Sequence, residues 1–304
     1  MKDTQTQIQP LQNWDKAVQG IIKNPGICII LGATDSGKTS FIQHLSSKVP
    51  EALSLGILDA DIRKTTVGPP GTLGFTPIKN GTITLPPVLL YFVGSITPTG
   101  FMLPFLTGIK KILDVTQPEN HHIISIDTTG LIYGDAAKEL KFRLIDIISP
   151  QHIIALQSNQ ELENILLPQE KREDTTIWRL KTIPEKMARS MEERQLDRKN
   201  QFLTYFKNKK TYSAKLSDVA IIGLHPDFGG KAVSQKEFYK MRLERMLSLK
   251  NSLIGINDGH NFTIAVGLLT GVDFDTNAIC FEAPEFDPQK MKIIQCSSMR
   301  LDSF

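Results

Sequence analysis

The 304-residue sequence is poor in cysteine and histidine, carries little net charge and has no long apolar run. Its three cysteines include no C-x-x-C pair, which argues against a disulfide framework and a cysteine-rich zinc site. His121 and His122 are adjacent, but an apolar run follows them, so we predict a strand entry rather than a metal site.

Membrane and export signals are also missing from the sequence. No apolar run approaches the roughly 20 residues of a membrane span, and the first residues lack a signal-peptide pattern. We therefore expect a cytoplasmic protein with no membrane partner. The net charge of +3 permits a nucleic-acid partner without requiring one.

The clearest motif lies between residues 32 and 39, where the pattern G-x-x-x-x-G-K-[ST] is matched at each defined position. An apolar run at 27–31 predicts a buried strand before it, and apolar residues at helical spacing predict a helix after it. In such a loop, backbone N–H groups and Lys38 bind phosphates while Thr39 ligates magnesium. The residues expected to contact the nucleotide here are Gly32, Ala33, Thr34, Asp35, Ser36, Gly37, Lys38, Thr39 and Ser40.

Apolar strand patterns alternate with helical patterns from residue 25 to about residue 210. This alternation predicts an α/β fold of the P-loop NTPase type, with a parallel sheet covered by helices on both faces. Short apolar runs split by Asp, Gly, Asn and Pro follow, and they predict a small mostly-β domain. We expect an N-terminal tail and helix at 1–24, a P-loop domain at 25–210 and the mostly-β domain at 211–304.

Two acidic residues, Asp59 and Asp61, follow the apolar run at 53–58. The carboxyl end of a strand is where a magnesium-bound nucleotide in this fold needs a carboxylate. Asp59 and Asp61 are therefore candidate metal ligands together with Thr39.

A long helix is predicted from Glu185 to Phe206. Arg194 and Arg198 lie on one stripe with apolar residues, and two like charges four residues apart repel by a few tenths of a kcal/mol. A triphosphate between them would remove that repulsion. The alternative is an ordinary solvated helix whose arginines pair with nearby acids.

Several of these motifs together resemble the polynucleotide 5′-hydroxyl kinases, the family related to the kinase subunit of pre-mRNA cleavage factor and to rRNA-processing kinases. The shorter prokaryotic, especially archaeal, members are the most similar, and the resemblance runs from about residue 27 to the end of the chain. The motifs that carry it are Asp61 with Pro70-Gly71, Tyr91–Ser95 with Thr97-Pro98, Asp127–Gly130, and the arginines Arg189, Arg194 and Arg198.

The resemblance implies transfer of the γ-phosphate of ATP, with GTP left open as donor, to the 5′-hydroxyl end of RNA or DNA. It implies that Asp61, Lys38, Arg194 and Arg198 are catalytic, and that Thr128, Thr129, Gly130 and Lys64 contact the acceptor strand. Arg189 and Gln157 are also expected to contact the nucleotide, and Mg²⁺ is the expected metal. The oligomeric state is not indicated.

The chain departs from the family pattern at two positions. Lys64 stands where members usually carry glutamine, and Leu131 stands where many eukaryotic members carry a base-stacking tryptophan. These departures keep open a catalytically silent, ATP-bound scaffold in RNA processing. A regulatory P-loop NTPase is the other alternative, although residues 156–159 lack the guanine-recognition signature.

Overall fold

The computed structural model describes residues 12–79, 81–116, 121–182, 190–223 and 234–300. By internal packing the chain divides into two units. The first unit comprises residues 1–61, 75–88 and 109–189, and the second comprises residues 62–74, 89–108 and 190–304. The boundary expected between residues 210 and 211 stays a prediction.

The elements up to residue 182 are α1 (Gln12–Lys23), β1 (Ile27–Gly32), α2 (Lys38–Lys48), β2 (Leu55–Ala60), β3 (Thr72–Lys79), β4 (Thr82–Ile83), β5 (Leu89–Phe92), α3 (Met102–Thr116), β6 (Ile123–Thr128), α4 (Asp135–Ile148), β7 (His152–Leu156), α5 (Glu163–Leu166) and β8 (Thr176–Leu180). Those after residue 189 are α6 (Met191–Tyr205), β9 (Lys210–Lys215), β10 (Ala220–Ile222), α7 (Gln235–Leu247), β11 (Ser252–Asn257), β12 (Thr263–Asp273), β13 (Ala278–Ala283) and β14 (Ile293–Arg300).

The first unit is built on a sheet whose strands run in the order β4-β3-β2-β6-β1-β7-β8. Strands β2, β6, β1, β7 and β8 pair in parallel, and β3 and β4 pair antiparallel. Every residue of β1, β2, β6 and β7 is buried, which explains their nearly continuous apolar sequences. The predicted P-loop α/β fold is confirmed.

Strands β3 and β8 were not predicted. In β3 the apolar alternation is interrupted by Gly74 and Pro77, residues that weaken strand patterns. Strand β8 is the last strand of the sheet order and is mostly exposed or half-buried, so it lacks the apolar signature of a central strand.

The second unit contains a six-stranded sheet in the order β10-β14-β11-β12-β13-β9. Its pairs are antiparallel except for β10 with β14. The predicted mostly-β C-terminal unit is therefore confirmed. None of the helices in the described ranges has the length and apolarity needed to cross a membrane.

Helix α6 belongs to the second unit and begins at Met191, later than the predicted start at 185. Ser190 caps it: its hydroxyl accepts the Glu193 N–H at 3.1 Å, and the Glu193 carboxylate accepts the Ser190 N–H at 2.7 Å. This reciprocal cap explains why Ser190 precedes the helix instead of lying inside it. Residues 183–189, which cover the rest of the predicted start, lie outside the described residues.

The C-terminal half of α6 is anchored in the apolar interior of the second unit. Phe202 and Phe206 pack in one cluster with Phe92 and Val266, among others, and the Tyr205 hydroxyl accepts the Val266 N–H at 2.8 Å. Met191, at the other end of the helix, is 74% exposed. The helix is thus held at its C-terminal end, while its N-terminal part is mostly exposed and Arg194 and Arg198 are half-buried within it.

Candidate active site

The phosphate-binding motif forms the turn between β1 and α2, as predicted. Gly37, at the N-cap of α2, has a φ of 94°, in the left-handed region that favours glycine. Gly32 pairs in register with Leu156 of β7, and a Cβ on Gly32 would lie 3.0 Å from the Leu156 carbonyl oxygen. The loop therefore needs glycine at both ends of its pattern.

Lys38 folds back over this loop. Its ammonium group donates to the carbonyl oxygens of Gly32 at 3.2 Å and Ala33 at 2.8 Å, and the residue is only 6% exposed. The loop thus holds a buried positive charge next to the N-terminus of α2, the position from which a P-loop lysine reaches phosphates.

Three carboxylates lie at the carboxyl ends of β2 and β6. Asp59 and Asp127 are direct register partners on these strands, and both are buried. The N–H of Asp61 donates to Asp59 Oδ1 at 3.0 Å, and the Thr39 hydroxyl donates to Asp127 Oδ2 at 2.8 Å. Asp59 and Asp61, predicted from the sequence as metal ligands, are therefore in direct contact. Thr39, the third predicted ligand, contacts Asp127, the register partner of Asp59.

Asp127 was missed as a candidate metal ligand. Asp127 lies at the carboxyl end of an apolar strand. The same position made Asp59 a candidate metal ligand, so the sequence could have indicated Asp127 as well. Burial raises the pKa of Asp127 to about 6, against the opposing effect of the Lys38 charge. Asp127 is thus a buried carboxylate beside the hydroxyl of Thr39.

These residues fit a magnesium ion. Asp127 Oδ1 is buried and accepts no hydrogen bond from the residues that the structure describes. Within the described ranges, no three His, Cys, Asp or Glu side chains are grouped closely enough to form a metal cage. Magnesium usually needs only one or two carboxylates because nucleotide phosphates and water complete its shell.

The Asp127–Gly130 segment passes directly beside the phosphate-binding loop. A Cβ on Gly130 would lie 2.6 Å from the backbone nitrogen of Thr34 and 2.8 Å from its Cα. Thr128 is fully buried and its hydroxyl donates to the Ile30 carbonyl at 2.7 Å, while Thr129 is also buried. Within this segment, Gly130 is the most accessible of the residues expected to contact an acceptor strand.

Lys141, on α4, is a second buried lysine that sequence reasoning missed. Its ammonium group donates to the Thr129 carbonyl at 2.8 Å, and the residue is completely buried. Lys141 lies on the buried face of α4 with Ala137, Leu144 and Ile148. A lysine among apolar residues at helical spacing was the sequence pattern that could have identified it. Burial and then the Lys38 charge lower the pKa of Lys141 to about 7.

We expect the Lys141→Met variant to lose a pH dependence of stability that the parent protein shows. Lysine in an unfolded chain has a pKa of about 10.4, so between pH 7 and 10 the unfolded state binds more protons than the folded state. The unfolding free energy of the parent protein therefore rises with pH relative to the variant, by about 1 kcal/mol per pH unit. Urea denaturation at pH 7, 8 and 9 measures this difference.

Lys138→Met is the matched control, because Lys138 lies on the same helix with its side chain exposed. Its stability should follow the parent curve across this range. If the unfolding free energies of Lys141→Met and the parent protein change with pH in the same way, Lys141 ionises normally in the folded protein.

Gln157, Lys64 and Arg189 were also predicted as site residues. The Gln157 amide donates to Glu163 at 2.6 Å and its oxygen accepts the Leu162 N–H at 3.1 Å, so both ends of the side chain are engaged locally. Lys64 is exposed in the loop that opens the second unit. Arg189 lies outside the described residues. The roles expected for Gln157, Lys64 and Arg189 stay predictions.

The chain is similar in sequence to a known protein family and to named relatives. The model of the family described as mRNA cleavage and polyadenylation factor CLP1 P-loop matches residues 32–208, more than half of the chain. A Methanocaldococcus jannaschii protein named polyribonucleotide 5′-hydroxyl-kinase is 30% identical, over 90% of this chain and 86% of its own. A Pyrococcus furiosus protein of the same name is 27% identical, over 92% of this chain and 89% of its own.

A solved structure of Clp1p in complex with a segment of Pcf11p has a similar fold. The TM-score is 0.65 and the sequence identity 13%, with 95% of this chain and 78% of that chain covered. At this identity the likeness concerns the fold alone.

Proposed function

The chain belongs to the CLP1 P-loop family, and from this membership we propose that it transfers the γ-phosphoryl group of ATP to the 5′-hydroxyl end of RNA. The relatives named polyribonucleotide 5′-hydroxyl-kinase support this proposal because they match nearly the whole chain.

The observation that carries the proposal is the position of the Asp127–Gly130 segment. It lies against Thr34 of the nucleotide-binding loop, so a strand held by Gly130 would place its end next to the phosphates. Asp61 lies near enough for its charge to act on Asp127 and Lys141. An acceptor hydroxyl at this point would have both a phosphate and a carboxylate within reach.

In the proposed reaction the 5′-hydroxyl oxygen forms a bond to the γ-phosphorus, and the bond from that phosphorus to the β–γ bridging oxygen breaks. The diphosphate product keeps the bond electrons, and Asp61 accepts the hydroxyl proton. Lys38 and the loop N–H groups hold the β- and γ-phosphates. Gly130, with the backbone of Thr128 and Thr129, positions the acceptor strand.

Magnesium would neutralise charge on the phosphates during transfer. Thr39, Asp59 and Asp127 are the residues we propose to hold it, directly or through water, with Asp61 beside them. Arg194 and Arg198 are proposed to stabilise charge that develops on the transferred group, in the role that arginines have in other phosphoryl-transfer enzymes.

The test is transfer of labelled γ-phosphate from ATP or GTP to RNA and DNA oligonucleotides that carry either a 5′-hydroxyl or a 5′-phosphate. We expect label on 5′-hydroxyl RNA and none on 5′-phosphate strands. The same panel ranks ATP against GTP and RNA against DNA.

Two other outcomes would contradict the kinase. Binding of ATP without label on any strand would favour the nucleotide-bound scaffold. Hydrolysis of ATP or GTP at a rate that 5′-hydroxyl strands do not change would favour a regulatory NTPase.

A further inference from the structure

Two lysines are buried in the part of the chain that the structure describes, Lys38 and Lys141. Lys38 has a place in the proposed reaction, whereas Lys141 has none. Lys141 is fully buried on α4, and the other buried residues of this helix are all apolar. Burying an ammonium group there costs free energy that an apolar side chain of the same length would not cost. The contacts of the ammonium group therefore need an explanation beyond packing.

Both hydrogen bonds of the Lys141 ammonium group end on Thr129. It donates to the Thr129 carbonyl oxygen at 2.8 Å and to the Thr129 hydroxyl at 3.4 Å. Thr129 is itself only 4% exposed, and a buried carbonyl that loses its donor is costly. Lys141 thus supplies a donor to the first carbonyl after β6.

The segment that contains this carbonyl is held from two sides. The Thr128 hydroxyl donates to a carbonyl of β1 at 2.7 Å, and Lys141 holds Thr129 from α4. Gly130 follows directly and packs against the phosphate-binding loop, where an added Cβ would lie 2.6 Å from the Thr34 nitrogen. All of these residues lie in the first unit. The contact between Lys141 and Thr129 therefore helps to set the distance between Gly130 and the loop.

We propose that Lys141 is a positioning residue for the acceptor strand. Through the Thr129 carbonyl it holds Gly130 where the 5′-hydroxyl of a bound strand reaches the γ-phosphate, and it touches neither substrate itself. The inference rests on the proposed kinase function and adds a residue of α4 to that site. The alternative is a purely structural lysine, whose loss would lower stability and leave the kinetics of the folded protein unchanged.

The first test is the Lys141→Met variant, which removes the donor and keeps the length of the side chain. We expect kcat/KM for 5′-hydroxyl RNA to fall about 10-fold to 100-fold, since a misplacement of about 1 Å has effects of that size. Binding of a non-hydrolysable ATP analogue should stay within about twofold of the parent value, because the phosphate-binding loop keeps its own contacts. Lys138→Met, at an exposed lysine on the same helix, should change neither.

A second test uses Gly130→Ala, whose added Cβ meets the phosphate-binding loop. While Lys141 holds the segment, this collision displaces the loop and weakens binding of the ATP analogue. In the double variant with Lys141→Met the segment is free to yield. The analogue should then bind at least about fivefold more tightly than to Gly130→Ala alone, while transfer to RNA stays low. A lysine that only stabilises the fold would not produce this gain.

Thermal unfolding shows which variants are folded at the assay temperature, and Lys141→Leu, which also removes the donor, replaces Lys141→Met if that variant does not fold. A parent-like kcat/KM for RNA in a folded variant would overturn the proposal. So would equal losses for RNA and the ATP analogue, or no recovery of analogue binding in the double variant. Failure of both Lys141 variants to fold would assign the lysine to the fold and overturn it as well.

Anisotropy of a fluorescent 5′-hydroxyl RNA separates this inference from the kinase assignment. If the parent protein transfers no phosphate, but Lys141→Met loses RNA affinity and still binds the ATP analogue, the positioning role stands and the kinase assignment fails. If the parent protein is an active kinase and Lys141→Met matches it with both substrates, the kinase stands and the positioning role fails.

Discussion

Replacing Asp61 by asparagine is expected to lower kcat for phosphate transfer about 100-fold or more, with nucleotide affinity almost unchanged. Asparagine keeps the size of the side chain and the backbone N–H that donates to Asp59. It cannot accept the proton of the attacking hydroxyl. Single-turnover transfer and direct nucleotide binding, both at saturating magnesium, measure the two effects separately.

Asp59→Asn is the informative comparison because Asp59 is proposed to hold the metal. Its activity should recover at least partly when magnesium is raised, whereas that of Asp61→Asn should not. Recovery of Asp61→Asn at high magnesium would make Asp61 a metal ligand instead of a base. Full activity of Asp61→Asn at ordinary magnesium would remove it from the mechanism.

The central part of the fold was predictable because its signals are local. Buried parallel strands are short apolar runs, and β1, β2, β6 and β7 have that form. The loop between β1 and α2 carries its own pattern of glycines, lysine and hydroxyl. Such features can be recognised without knowing which segments meet in space.

What could not be predicted depends on tertiary contact. Nothing in the sequence around Gln201 indicates that its amide binds the Thr65 carbonyl, 136 positions away. Lys141 is an intermediate case, since its place in an apolar helical row was visible, but its partner, the Thr129 carbonyl, was not.

Gly130→Ala is expected to lower kcat/KM for the nucleotide about 100-fold, since shifts of about 1 Å at a reacting centre have effects of that size. The added Cβ would lie within 3 Å of the Thr34 backbone, closer than real Cβ atoms approach other atoms. Either the Asp127–Gly130 segment or the phosphate-binding loop must then move.

The Asp127–Gly130 segment is the less free of the two. Thr128 is bound to the Ile30 carbonyl, and Lys141 holds the Thr129 carbonyl from inside the protein. The displacement should therefore fall mainly on Thr34 and the neighbouring N–H groups that hold phosphates. Binding of a non-hydrolysable ATP analogue should weaken together with turnover.

Gly271→Ala is the matched control. In the described part of the chain, no atom beyond its two chain neighbours lies within 4 Å of the Cβ that this substitution adds, and Gly271 has no left-handed φ. It should leave both binding and turnover near the parent values. If Gly130→Ala loses turnover but binds the analogue normally, the segment has moved and the loop has not, so Gly130 serves the acceptor strand alone. If it loses neither, the close approach to Thr34 has no part in the reaction, and the position of the acceptor strand beside the nucleotide must be sought elsewhere in the first unit.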